Sequence, residues 1–226
     1  MHTTREGGRT PASAPTVSRR AARVDDLARP DLPEVVDVLM DAFGAYPVLR
    51  FVLGPRAGER AALGRLVTYF ATARVLRREP MLGVREGGRL LGVALLSSPA
   101  SATPPELEAL RSRLWAELGP PAEARYERYG RAASTFTPEG PHVHLNMLGV
   151  RTEAQGTGLG RALLEAVHAR AAADTDVGGV SLATEVRGNV SLYRHFGYEV
   201  LGRVDVAPGL TTWSMFRPKG GREGAG

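Results

Sequence analysis

The chain has no cysteine and a single lysine, Lys219. The first absence excludes disulfides, thiolate metal sites and a cysteine nucleophile. The second excludes a P-loop, whose glycine-rich turn needs a lysine followed by Ser or Thr. No apolar run approaches the ~18 residues of a membrane span. No stretch has the charged, apolar, small-residue order of a secretory signal. A cytoplasmic protein with no membrane partner is expected. No internal repeat is present, and aromatic residues are only 6% of the chain.

What is there suits one globular domain. The 226 residues, 43% hydrophobic and 23% charged, can bury a sizeable core. The net charge of +5 first suggests a nucleic-acid partner. Its distribution argues against one. Residues 1–23 carry a net of about +4 and residues 217–226 about +2, which leaves the body near −1. No nucleic-acid partner is therefore expected. A basic binder remains the rival that salt-sensitive binding by residues 24–216 would reveal.

Residues 1–20 are Thr, Arg, Gly, Ser, Ala and Pro with little to bury, and read as a disordered basic tail. An acid-poor, Arg-rich leader also resembles an organelle transit peptide. Residues 21–218 read as the domain and 219–226 as a flexible tail. A short strand is expected near Ala22 to Leu27. Asp31 suits an N-cap and Pro33 a first helical turn, ahead of the stripe Val35, Val36, Leu39, Met40 and Phe43. Gly44 to Pro47 breaks that helix, and a second is expected from about Arg56 to Arg77. Met81 to Val84 and Leu90 to Leu96 form a hairpin about Gly87-Gly88. Residues 101–137 read as an insertion of two helices, near 105–118 and 121–133, carrying Trp115, Tyr126 and Tyr129.

Next comes the most informative stretch. An apolar run ends at Val150. A polar turn leads into Gln155-Gly156-Thr157-Gly158-Leu159-Gly160-Arg161, then a helix with Leu159, Leu163, Ala166 and Val167 on one face. Residues without Cβ let backbone amides approach a ligand closely. A helix starting there aims free N–H groups and its positive dipole end into the turn. Such a turn suits a phosphate or pyrophosphate. The G-x-G-x-G spacing is not the dinucleotide fingerprint. A strand at 180–184, a short helix at 189–195 and strands at 198–206 and 211–216 follow.

The run Gln155-x-x-Gly158-x-Gly160 after a strand resembles the acetyl-CoA signature of the GNAT superfamily of N-acetyltransferases. Asn189-Val190-Ser191-Leu192-Tyr193-Arg194-His195-Phe196-Gly197-Tyr198 is similar to a second motif of that family. Within it, the chain looks most like the puromycin N-acetyltransferase group, through Ala42-Phe43-x-x-Tyr46-Pro47, the helical insertion and Thr212-Trp213-Ser214-Met215. It departs at Ala183, where that group has glutamate.

The resemblance implies an α/β (α+β) GNAT fold: a mixed central sheet of six to seven strands, helices on both faces, and the helical insertion before the central strand. It implies acetyl-CoA as cofactor. Leu148, Gly149 and Val150 would line its pantetheine arm where the central strand splays from the next. Gln155, Gly156, Thr157, Gly158, Leu159, Gly160 and Arg161 would hold its pyrophosphate, with Arg151 as a further cation. Asn189 and Tyr193 would stand beside the arm. Tyr193 would be the general acid, its ordinary pKa of about 10 keeping it protonated.

The base is left open among His144, His142 and Glu185. His142, His144 and Asn146 alternate on one side of a strand. Acceptor recognition is expected from Phe43, Tyr46, Phe51, Asn146, Thr184 and the aromatic insertion. No metal is expected, because His142 and His144 have no obvious third ligand. The expected activity is acetyl transfer to a primary amine of a small, antibiotic-like molecule by a monomer or homodimer. A protein lysine or N-terminal acceptor, or a non-catalytic acyl-CoA sensor, is the alternative.

Overall fold

The computed structural model describes residues 22–99 and 102–220. The expected basic tail and most of the expected C-terminal tail lie outside them. Lys219, within them, is held to the body, its N–H donating to Gly178 O at 2.7 Å.

Seven strands form one sheet: β1 (Val24–Asp26), β2 (Met81–Glu86), β3 (Arg89–Ser97), β4 (Val143–Val150), β5 (Gly179–Thr184), β6 (Glu199–Ala207) and β7 (Leu210–Pro218). Their order is β1-β2-β3-β4-β5-β7-β6. Only β4 and β5 run parallel. The helices among the described residues are α1 (Leu32–Phe43), α2 (Pro47–Leu53), α3 (Arg60–Leu76), α4 (Pro105–Leu118), α5 (Pro120–Ala133), α6 (Leu159–Ala173) and α7 (Arg187–His195).

Two cores sandwich the sheet. On one face, residues of α1 to α5 such as Leu39, Leu66 and Trp115 pack against Val93, Leu95 and Met147. On the other, Leu159, Leu163 and Val167 of α6 pack with Leu96, Leu145 and Leu182. The mixed sheet with helices on both faces is the fold that the resemblance implies.

The region between α1 and α3 differs from expectation. The expected second helix is α3, starting at Arg60, and a helix that was not expected, α2, precedes it across a 3-10 turn, Gly54–Gly58. Pro47 breaks α1 but also opens α2, where its missing N–H costs nothing and its φ is already helical. Val48, Leu49, Val52 and Leu53 then bury one face, and Gly54 ends the helix at φ +59°. Asp31 precedes α1 without capping it through its side chain. Its carboxylate instead accepts from the Ala28 N–H and from Arg85, both at 2.8 Å.

Two irregularities in β4 matter below. Leu96 faces Leu145 while Leu95 faces Met147, so Asn146 is an extra residue, a β-bulge. The bulge breaks the alternation expected along the strand: Leu145 packs into the α6 core, Met147 into the opposite one. The other irregularity is early separation. β4 pairs with β5 only at 143–145 against 180–182, whereas β3 stays paired with β4 as far as Val150. Beyond Leu145 the sheet is open.

Candidate active site

A cavity of about 400 Å³ fills that opening. Phe43, Tyr46, Phe70, Arg74, Tyr126 and Tyr129 line it from the α1–α5 side, and Asn189 and Tyr193 from α7. The cavity therefore reaches through the sheet.

Glu185, one residue past β5, lines the cavity and is 8% exposed. Two hydroxyls donate to its Oε1: Tyr129 at 3.1 Å and Thr212 at 2.8 Å. Burial raises its pKa, and those hydrogen bonds oppose the shift in part. A carboxyl moved toward neutrality can accept a proton there. Beside it, Tyr46 shares a 3.3 Å hydrogen bond with Thr184 Oγ1 and receives the Glu185 N–H at 3.4 Å. Asn189 Nδ2 also donates to Thr184 Oγ1, at 3.3 Å. That one hydroxyl joins β5, α7 and the α1–α2 turn.

Tyr193 packs edge-on against Tyr198, with ring centroids 5.5 Å apart. Burial, and then the charge of Glu185, push its phenol up to about 12. It is a protonated donor at neutral pH.

His144 and His142 separate. His144 lines the cavity and shares a 2.8 Å hydrogen bond with Ser181 Oγ. Burial first, then His142 and Arg74, pull its pKa down to about 4. It is a neutral imidazole with little appetite for a proton. His142 is outside the cavity lining, bonded through Nδ1 to Gly140 O at 2.9 Å and lying against Phe216.

Of the residues expected to meet the acceptor, Phe43, Tyr46 and Asn146 line the cavity, and Thr184 supports it. Phe51 does not line it; it packs among Tyr129 and Val204. Arg74 has no counterpart among the expected site residues. Its Nη1 donates to Asn146 Oδ1 at 2.7 Å and to Ser97 Oγ, and so pins the bulge. Nothing in the order of residues signals a bond between positions 72 apart.

The glycine turn lies at the far end of β4, at the start of α6. Gly156 and Gly158 hold φ of +75° and +95°, and a Cβ built on either would meet nothing within 4 Å. Their backbone is open to a ligand. Thr157 Oγ1 donates to Ala154 O at 2.6 Å and Gln155 Nε2 to Val150 O at 3.2 Å, which ties the turn to the strand end. Ala162 N–H donates to Gly158 O at 3.0 Å, so the amides of 159–161 precede the first helical bond and remain for an anion. Leu159 itself is buried. Arg161 reaches Glu165 and His195 and stacks on Phe196. Arg151 is turned back onto Leu90 O at 3.0 Å. Gly149 lets α1 approach: a Cβ there would stand 2.9 Å from Ala42 Cβ. Leu148 lines the cavity and Val150 is buried.

Residues 110–200 match the family described as the acetyltransferase (GNAT) domain. That match takes in β4, the glycine turn, α6, β5 and α7. Solved structures extend the likeness over most of the chain. A Corynebacterium glutamicum protein named histone acetyltransferase HPA2 and related acetyltransferase is 26% identical with a TM-score of 0.63, over 88% of this chain and 97% of its own. Two more share the fold at 16% identity. The Drosophila melanogaster polyamine N-acetyltransferase has a TM-score of 0.61, over 86% of this chain and 97% of its own. The Escherichia coli ribosomal-protein-S18-alanine N-acetyltransferase has one of 0.52, over 90% and 96%. The family match and the Corynebacterium structure support an acetyl-CoA-dependent acetyltransferase. Among its described residues, no helix is long and apolar enough to cross a membrane.

The fold also carries a pH liability. His168, on α6, shares a 3.1 Å hydrogen bond with Tyr198 and, like His144, is pulled down to about 4, mainly by burial. Between pH 6.5 and 4 the unfolded chain binds protons at these positions that the folded chain refuses. Stability therefore falls as pH falls through that window, by about 2 kcal/mol per histidine at pH 5. Urea midpoints at pH 7 and pH 5 measure the loss. His168→Gln should shrink it by roughly half; an unchanged loss would remove His168 from the account.

Proposed function

We propose that the protein moves an acetyl group from acetyl-CoA directly to the primary amine of a small molecule with an aromatic body. The observation that carries this reading is the open seam between β4 and β5, with Glu185 and Tyr193 both on the cavity that fills it. The glycine turn supports a pyrophosphate at its open backbone, with Gly156, Gly158 and the amides of 159–161 as its donors. Bound there, acetyl-CoA supplies the activated acyl group. Asn189 and the unpaired edge of β4 from Asn146 to Gly149 flank the path of its arm.

Glu185 is the base on this reading. It takes the amine proton at its carboxylate, while Tyr129 and Thr212 hold that carboxylate in place. His144 is a weak rival at its depressed pKa, and His142 does not line the cavity. Tyr193 donates its phenolic proton toward the departing sulfur. Cover by the helical insertion favours a small acceptor over a peptide: Tyr126, Tyr129 and Leu107 form part of the cavity wall. The likeness to the puromycin group supports the aromatic character. The reading goes with a cytoplasmic enzyme.

Calorimetric titration with acetyl-CoA, then a free-thiol release assay over a panel of amines including puromycin, tests the proposal. Thiol release on a small amine supports it. Binding without release on any small amine, but with release on peptides, would replace it with a protein acceptor. Gly158→Val should raise the acetyl-CoA Kd at least roughly tenfold, because a β-branched residue resists φ near +95°. Unchanged affinity would move the phosphate site away from the turn.

A further inference from the structure

The cavity is polar at two ends, and only one of them is explained by transfer chemistry. Glu185 marks the transfer end. At the other, Arg74 and Arg77 line the wall, three residues apart and so on one side of α3 and its C-terminal extension. Their situations differ.

Arg74 is already matched. Glu79 stands 3.0 Å from its Nε, and Nη1 is bonded to Asn146 and Ser97. The pair is buried, neutral overall and structural. Arg77 donates from Nη2 to Thr103 Oγ1 at 3.1 Å, and its buried Nε has no hydrogen-bond partner. Among the described residues no carboxylate forms an ion pair with it. A third guanidinium, Arg111, is also near: all three arginines act on the Tyr69 and Tyr126 phenols. Arg111 has Glu127 as counter-charge, at 3.7 Å. Glu108 acts on the Tyr69 phenol too, so the cluster is balanced in number, but Arg77 is the one of the three that no ion pair holds, at the wall of a partly enclosed cavity.

A half-buried guanidinium whose buried Nε lacks a partner is costly, and an anion in its fork offsets that cost. Between Arg77 and Glu185 the wall is aromatic: Phe70 and Tyr126 stack with centroids 6.0 Å apart. We propose that Arg77 is a carboxylate-recognition residue, so that the acceptor is an aromatic amine bearing a carboxylate at the end away from its amino group. Opposite charges at the two ends then orient it, with the amine at Glu185 and the acid at Arg77. This rests on reading the cavity as the acceptor site.

Its test uses probes without an amine, so that it does not depend on transfer. The full chain, saturated with CoA to fill the glycine turn, is titrated calorimetrically with 4-ethylbenzoate and with 4-ethylbenzamide. The benzoate should bind at least roughly tenfold more tightly. Arg77→Gln should erase that preference and Arg77→Lys should keep part of it, with circular dichroism and CoA affinity confirming that both fold. Equal affinities, tighter binding of the amide, no binding of either, or a preference that survives Arg77→Gln would each overturn the proposal. Thiol release with 4-(2-aminoethyl)benzoate against its carboxamide then tests the acceptor reading separately. No release from either, with the binding preference intact, would count against that reading and leave the carboxylate site standing.

Discussion

Glu185→Gln should lower kcat/KM for the amine by about 10²- to 10³-fold while leaving acetyl-CoA affinity within about twofold. Glutamine has the same shape, and its carbonyl can still accept from Tyr129 and Thr212, so the loss isolates the proton acceptor. The pH profile is the sharper readout. Burial lifts the Glu185 carboxyl above its ordinary range. The wild-type rate should therefore rise with pH as Glu185 ionises, along a limb displaced upward from that of a surface glutamate. The variant should lack the limb and keep only the rise due to the free amine. A variant with the same limb would pass the base role to another group. The same raised pKa favours the protonated folded state, so Glu185 loses stability with rising pH, opposite in sign to His144 and His168.

Tyr193→Phe should cut kcat by about 10²-fold with the acetyl-CoA Kd unchanged. The substitution keeps the ring and its edge-on contact with Tyr198, so the hydroxyl is the only group lost. Its pKa, pushed up to about 12, makes it a firmly held proton. Its contribution should therefore be largest as negative charge develops on the sulfur. Single-turnover measurement with acetyl-CoA pre-bound separates this step from product release. A Phe variant with wild-type kcat would reduce Tyr193 to a packing residue of the α6 core.

Much of this was legible in the chain. The hairpin about Gly87-Gly88, the strand–turn–helix at 143–171 and the two insertion helices all follow from local pattern and turn chemistry. The helix over 47–53 was not, because its six apolar and basic residues after Pro47 carry too short a period to separate from a loop. Several residues of the cavity wall were legible one by one, but their pairings were not. Glu185 and Tyr193 can be singled out from sequence. That Glu185 is held by Tyr129, 56 residues away, and by Thr212, 27 away, is a fact of packing. His142 and His144 look equivalent at a spacing of two, yet one is buried on Ser181 and the other sits at the strand's entrance. The bulge at Asn146 has no local signal, because Arg74 and Ser97 stabilise it from other elements.

The early parting of β4 from β5 turns a partition into a window. On the proposed reading, each substrate has its own doorway, the donor on the α6 side and the acceptor on the opposite side. Neither has to leave for the other to enter, and no covalent acyl-enzyme is needed to carry the group between them. Spent CoA then competes for the doorway of acetyl-CoA and not for that of the amine. Changes in the wall around Arg77 and Tyr126 can alter which amine is chosen without disturbing the grip on the donor.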